Sequence, residues 1–239
     1  MIPLKDTIKS RHFPIITWLL LGANTLVFVF QLTLGYDELD YFVNLFALVP
    51  VSWTEDPVWY TLTLFSSMFM HAGWFHFLSN MWTLYIFGDN VEDRMGPVGF
   101  LSFYLLSGVA AGLLQTFIDP FSAIPVLGAS GAIAGVMGAY ILLYPRARVI
   151  TLIPLFIFFT TVNIPAIFYL GFWFISQLFS GLASLGATMG GGVAWWAHIG
   201  GFMFGLIISR LFMWRPKPLP EPWSPYQVID ITPEDDPYW

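Results

Sequence analysis

The sequence predicts an all-α membrane protein in which six apolar stretches each form a transmembrane helix. Of its 239 residues, 57% are hydrophobic and only 10% are charged, whereas soluble domains carry about 25% charged residues. The mean hydropathy is +0.71. A bilayer core about 30 Å thick requires about 20 helical residues, and six apolar stretches approach that length: 13–34, 66–87, 97–117, 126–144, 163–183 and 194–213.

The distribution of charge predicts the orientation of this bundle. All nine Lys and Arg residues fall in the segments 1–12, 88–96 and 145–150 or at the C-terminal end of the chain, from Arg210 onward. The alternate segments contain no Lys or Arg but hold six carboxylates: Asp37, Glu38, Asp40, Glu55, Asp56 and Asp119. Because basic loops remain in the cytoplasm, we expect both termini inside. Residues 1–12 then form a cytoplasmic N-terminus, 13–215 the six-helix domain, and the proline-rich, acidic residues 216–239 a disordered tail.

The connecting segments differ in character. The first outside loop, 35–65, is rich in aromatic residues and is expected to lie partly in the membrane surface. Residues 149–162 are apolar but interrupted by Pro154, so we expect an interfacial or irregular segment before the fifth helix. The glycine run 190–192 predicts a mobile outside loop before the sixth helix.

Several classes of function are disfavoured by composition. A net charge of -6 without a basic patch speaks against nucleic-acid binding. The chain has no cysteine, which excludes disulfides and thiolate metal sites. No metal or other cofactor is expected. The sequence lacks an H-E-x-x-H motif, which disfavours a zinc site of that type. The first apolar run lacks a signal-peptide cleavage pattern and no arginine-rich leader precedes it, so we expect a prokaryotic cell (inner) membrane.

Polar side chains within the spans are few, and ionisable groups in a membrane are often functional. They are His71, His76, Asn80, Ser130, Asn163 and His198. At about 1.5 Å of rise per residue, Ser130 lies about 24 Å above Arg146 and His198 about 18 Å above Arg210. His76 and Asn80, four residues apart on one helix face, fall in the same layer. We expect this layer in the middle to outer part of the membrane.

Ser130 permits two interpretations. Gly131 and Gly135 form a GxxxG pair, and His198, Gly201 and Gly205 form a narrow stripe, so both segments favour close helix packing. A serine between glycines is also an accessible nucleophile, and a histidine at the same depth can act as its base. The charged residues lie outside the spans, so we expect a dyad whose imidazole is oriented by packing.

The other polar residues could also have purely structural roles. Asn80 could donate to an oxyanion or simply join two helices. His71 and Asn163 are expected to be structural, and Trp195 and Trp196 are expected in an aromatic belt at the outer boundary.

Three motifs together resemble the rhomboid family of intramembrane serine proteases. They are Gly128-Ala129-Ser130-Gly131, His76-Phe77-Leu78-Ser79-Asn80, and Ala197-His198-Ile199-Gly200-Gly201 followed by Gly205. The segment 88–96 also resembles the family's turn after the second helix. The resemblance extends from about residue 13 to 213. The sequence departs from the family at Ala134, where some members carry an aromatic that packs on the histidine, and at Trp59-Tyr60, which lacks the arginine of a common Trp-Arg pair.

The resemblance implies a role for each motif. Ser130 would attack the scissile carbonyl, and His198 would serve as general base and then as acid. Asn80, His76 and the backbone N–H of Ser130 would bind the oxyanion. The partners would be the lipid bilayer and the transmembrane segments of substrate membrane proteins, admitted by movement of the fifth helix and the 184–193 loop.

Two other functions remain open from the residues. A rhomboid-like pseudoprotease would bind transmembrane helices without cutting them and would use the same fold. A haem or proton-transport protein would use His76 and His198 as iron ligands or to line a proton path.

Overall fold

The structure is a computed structural model that describes residues 2–155, 158–185 and 193–213. The predicted glycine loop at 190–192 and the predicted tail at 216–239 lie outside these ranges. In chain order the elements are β1 (Ile2–Asp6), α1 (Ile15–Thr33), α2 (Tyr36–Phe46), α3 (Ser52–Glu55), α4 (Pro57–Ser66), α5 (Trp74–Ile118), α6 (Ser130–Leu143), β2 (Arg148–Leu155), β3 (Phe158–Pro165), α7 (Ala166–Ser184) and α8 (Trp195–Ile208).

Four helical stretches in the described ranges are long and apolar enough to cross a membrane: Ile15–Thr33, Trp74–Ile118, Ala166–Ser184 and Trp195–Phe212. The predicted second and third spans are the two parts of α5, 74–95 and 97–118, and the non-helical residue Gly96 separates them. The break that we expected within 88–96 is therefore confined to Gly96, and residues 88–95 continue the preceding helix. Gly96 has φ 71° and ψ 164°, a conformation that is essentially restricted to glycine.

A three-stranded antiparallel sheet replaces the irregular segment expected at 149–162. Strand β2 lies in the middle, with Ile2 opposite Leu152 on one side and Arg148 opposite Pro165 on the other. The strands are rich in β-branched and aromatic residues, which suit a pleated surface. Asn163 belongs to β3, opposite Ile150, so its placement in the fifth membrane helix was wrong. That helix, α7, begins only after Pro165.

The first outside loop folds into α2, α3 and α4. Its large aromatic side chains are mostly exposed, as expected of a segment at a membrane surface: Tyr36 is 89% and Tyr41 69% exposed. A backbone bridge between Leu48 and Val126 ties this region to the segment that precedes α6.

The core is built where α5, α6 and α8 pack together. A methyl group added at Gly201 would lie 2.9 Å from the carbonyl carbon of Gly131, and one at Gly205 would lie 2.7 Å from that of Gly135. These distances are shorter than the 3.5–4.0 Å or so of an ordinary carbon contact. The predicted glycine stripes therefore face each other and allow the backbones of α6 and α8 to touch.

Candidate active site

Ser130 is the first residue of α6, and the chain reaches it through a conformation that requires glycine. Gly128 has φ 129°, where other residues are strained. A side chain there would also lie 2.6 Å from the imidazole of His76. The Gly128 N–H donates to the carbonyl of Ser67 at 2.9 Å. This turn places the Ser130 hydroxyl at the N-terminus of a helix, where backbone N–H groups lack helical partners and favour negative charge.

His198 lies in the first turn of α8 and is 8% exposed. Its Nε2 is 2.8 Å from the Oγ of Ser130. The glycine stripes explain this distance, because Gly201 follows His198 by three residues and contacts Gly131, the neighbour of Ser130. The N-terminus of α8 is also held by Gln115, whose Oε1 accepts from the N–H of Ala197 at 3.2 Å. The two residues that the sequence paired are thus brought within hydrogen-bonding distance.

Gln177, which was not among the predicted site residues, contacts the other ring nitrogen of His198. Its Oε1 lies 2.7 Å from Nδ1, so the expectation that packing alone orients the imidazole was incomplete. Gln177 is buried on α7, and an amide within an apolar helix was a signal that could have identified it. Trp173, one turn earlier, places its ring 5.7 Å from the imidazole. Trp173 therefore gives the histidine an aromatic neighbour, which Ala134 cannot provide.

Two further polar side chains, His76 and Asn80 from the start of α5, line the same cavity as Ser130. Asn80 is buried, and its Nδ2 has no hydrogen-bond partner within the described residues. The ring of His76 lies against Gly128, two residues before the serine. An uncompensated buried amide donor is costly, so Asn80 is a candidate to donate to a ligand atom in this cavity.

His71 has a different environment. It is 2% exposed, and neither ring nitrogen has a partner in the described part of the chain. Its ring packs 5.2 Å from that of His76 and 5.4 Å from that of Phe77. Gln31 binds the backbone N–H and carbonyl of His71 at 2.9 and 3.2 Å. His71 therefore supports His76 from behind, as its structural interpretation predicts.

A cavity of about 1120 Å³ lies beside Ser130, and neither His71 nor Gln177 lines it. Its walls include the residues singled out around the serine: His76, Asn80, Ser130, Trp173, Trp195 and His198. Ligand sites typically measure about 300–1,000 Å³ and combine apolar walls with a few polar groups. Trp195 and Trp196, which we expect in an aromatic belt at the outer boundary, both line this cavity.

The described residues of the site do not form a set of metal ligands. Among the described residues, no group of three His, Cys, Asp or Glu side chains is placed to hold an ion. Both ring nitrogens of His198 face hydrogen-bond partners, so neither is free to ligate haem iron in this arrangement.

Comparison with known proteins identifies the family. Residues 58–215 match the family model described as the Rhomboid domain. The chain belongs to the rhomboid family. Rhomboid protein 1, mitochondrial, of Saccharomyces cerevisiae is 28% identical over 208 residues, which cover 84% of this chain and 54% of that protein. Rhomboid-like protein 11, chloroplastic, of Arabidopsis thaliana is 34% identical over 121 residues, covering 50% of this chain and 42% of that protein.

A third relative, the presenilin-associated rhomboid-like protein, mitochondrial, of Bos taurus, is 33% identical over 99 residues, 38% of this chain and 25% of that protein. The chain spans about half the length of the first two relatives. It is a multi-pass membrane protein with a helical fold. The names of these relatives refer to mitochondria and chloroplasts, so the comparisons do not support the expected prokaryotic membrane.

Proposed function

We propose that this rhomboid protein is an intramembrane serine endopeptidase that cleaves transmembrane segments of membrane proteins. The observation that carries the proposal is the 2.8 Å approach of Ser130 Oγ to His198 Nε2 within a cavity. A nucleophile and a base within hydrogen-bonding reach, with the base oriented by a third group, is the arrangement of covalent hydrolases. The alternative interpretation, in which Ser130 serves only close helix packing, would not require an imidazole within hydrogen-bonding distance of its hydroxyl.

In the first step, His198 Nε2 takes the Ser130 proton as Oγ attacks the scissile carbonyl carbon. The carbonyl π bond opens, and its electron pair moves to the oxygen of the tetrahedral intermediate. Collapse of this intermediate breaks the C–N bond, and the imidazolium returns the proton to the leaving amine. The products are a free amine and an ester on Ser130.

The developing oxyanion is stabilised by donors already present around the serine. Asn80 Nδ2 is a donor without a partner among the described residues, and the backbone N–H of Ser130 lies at the N-terminus of α6. The ring of His76, against Gly128, borders the same space. Preorganised donors of this kind contribute more in a site that excludes bulk water than they would in solution.

Water completes the cycle by attacking the ester. His198 takes a proton from the water, the C–O bond to Ser130 breaks, and the proton returns to the serine oxygen. The products are a carboxylic acid and the regenerated hydroxyl. This step requires water at Ser130, and the cavity around the serine provides space for it.

We also propose six membrane crossings with both termini inside. Gly96 divides α5 into two helices, 74–95 and 97–118. Each is about 33 Å long at about 1.5 Å per residue, close to the thickness of a bilayer core, and would supply one crossing. Helix α6, about 21 Å long, would be the shorter fourth crossing and would begin at Ser130 below the outer surface. Cysteine labelling tests the orientation, because the chain has no native cysteine. An impermeant maleimide added from outside should label Asp37→Cys but not Lys9→Cys in sealed vesicles.

A fluorophosphonate probe tests the nucleophile without requiring a known substrate. The purified protein in detergent should become covalently labelled, and the labelling should be absent in Ser130→Ala and strongly reduced in His198→Ala. A folded parent protein that resists the probe and still captures transmembrane segments would support the pseudoprotease instead. Equal labelling of parent and Ser130→Ala would overturn the proposed assignment of the nucleophile.

A further inference from the structure

We propose that Gln177 is a positioning residue for His198. Its side-chain carbonyl holds the imidazole in the tautomer that carries hydrogen on Nδ1, which leaves Nε2 free to accept the Ser130 proton. The proposal rests on the proposed protease function, but the hydrogen-bond chain that supports it can be followed in the structure independently of any activity.

The orientation of the Gln177 amide follows from its neighbours. Its Nε2 lies 3.0 Å from Ser176 Oγ and 3.4 Å from the carbonyl oxygen of Trp173. The Trp173 carbonyl can only accept hydrogen bonds, and Ser176 donates its own hydroxyl proton to that carbonyl at 2.6 Å. Both neighbours therefore accept from the amide nitrogen. Turning the amide around would place its oxygen against two acceptors.

With the nitrogen so committed, the amide oxygen faces His198 Nδ1 at 2.7 Å. An amide oxygen accepts but cannot donate, so a hydrogen bond forms only if Nδ1 carries the proton. The neutral ring then has its lone pair on Nε2, which faces the Ser130 hydroxyl at 2.8 Å. The opposite tautomer would set a lone pair against the Gln177 oxygen and leave no acceptor for the serine proton.

The contact holds in both states that the reaction requires. When Nε2 takes the serine proton, Nδ1 remains a donor, so the bond to Gln177 persists in the imidazolium. The Trp173 ring packs on the same imidazole and limits its rotation. Because Gln177 is neutral, it orients the base without placing a charge in the membrane, where a carboxylate would be costly.

Three variants separate positioning from folding. Gln177→Met keeps an unbranched side chain of similar size but removes the acceptor. Gln177→Glu keeps a carbonyl oxygen that can face His198 Nδ1, and in its protonated form its O–H can replace the amide nitrogen as the donor to the Trp173 carbonyl. Phe179→Met introduces the same new residue on α7 at a position that is 69% exposed and serves as the packing control.

The first measurement is the 15N spectrum of histidine-labelled protein in detergent, at a pH where all imidazoles are neutral. The chain has four histidines, so comparison with His198→Ala assigns the His198 signals. We expect the Nδ1–H tautomer in the parent, Phe179→Met and Gln177→Glu, and a shift toward Nε2–H in Gln177→Met. An unchanged His198 tautomer in folded Gln177→Met would overturn the proposal.

The second measurement is cleavage of a single-span substrate. The wrong tautomer costs a Ser-His-Asp triad about 10⁴-fold; for a neutral acceptor we expect a smaller loss in kcat, about 10- to 100-fold, in Gln177→Met with KM little changed. Gln177→Glu should recover most of this loss. Activity in Gln177→Met within twofold of the parent, or no recovery in Gln177→Glu, would contradict the proposal. An inert parent would refute the protease function, whereas the tautomer spectra would still decide the role of Gln177.

Discussion

Replacing Gly201 with alanine should separate the catalytic pair without altering either member of it. The added methyl group would lie 2.9 Å from the carbonyl carbon of Gly131 and even closer to its oxygen. Both are backbone atoms, so the clash cannot be relieved by a side-chain rotation. Restoring a carbon separation of about 3.5–4.0 Å requires α6 and α8 to move apart by about 1 Å locally.

That displacement acts directly on the site. His198 lies one turn before Gly201, and Ser130 immediately precedes Gly131, so the 2.8 Å contact between Oγ and Nε2 would lengthen beyond hydrogen-bonding range. A misplacement of about 1 Å can cost about 10²-fold in rate. Overpacking a core costs about 1–3 kcal/mol. We therefore expect about a 100-fold loss of cleavage and a lower Tm.

Gly171→Ala is the matched control. Gly171 lies in α7, and a methyl group there would meet no atom within 4 Å. Because alanine favours helices over glycine by about 1 kcal/mol, this variant should keep parental activity and an equal or higher Tm. Cleavage of a single-span substrate and thermal unfolding in detergent measure both effects. Parental cleavage by Gly201→Ala would refute the close-packing argument.

Three further predictions address other parts of the molecule. Asn80→Ala should lower kcat by about 10²- to 10³-fold with little change in KM, as expected for a lost oxyanion donor; steady-state kinetics that show only a raised KM would contradict this role. Burial raises the pKa of Asp6 from its ordinary value of 3.8 to about 6, so the folded state binds this proton more tightly than the unfolded state. Stability should therefore fall as the pH rises from about 4 to 6, and Asp6→Asn should flatten the dependence of Tm on pH over that window; an unchanged slope would show that other groups cause it. Gly96→Ala should lower stability by about 1–3 kcal/mol, because its φ and ψ disfavour other residues, whereas Gly22→Ala, which meets no atom within 4 Å, should not.

Helical periodicity and residue chemistry made the central site predictable. Glycines three, four and seven residues apart indicated which faces of α6 and α8 meet, and the rise per residue placed Ser130 and His198 in one layer. Both inferences depend on local geometry within single helices. The 2.8 Å contact between the two side chains follows once these helix faces touch.

The features that were missed depend on contacts between distant parts of the chain. Strand β1 pairs with β2 across about 145 residues, and apolar residues such as those at 149–155 are compatible with either a strand or a membrane segment. Gln177 lies 21 residues from His198 on a helix whose position relative to α8 the sequence did not provide. The sequence showed a glutamine within an apolar helix but did not show that its partner is His198.

Cleavage of a single-span membrane substrate by the purified protein, compared with Ser130→Ala and His198→Ala, tests the central claim most directly. We expect the parent to release two fragments and both variants to release none, while all three show the same cooperative unfolding in detergent. Cleavage by Ser130→Ala at the parental rate would contradict the assignment of Ser130 as the nucleophile.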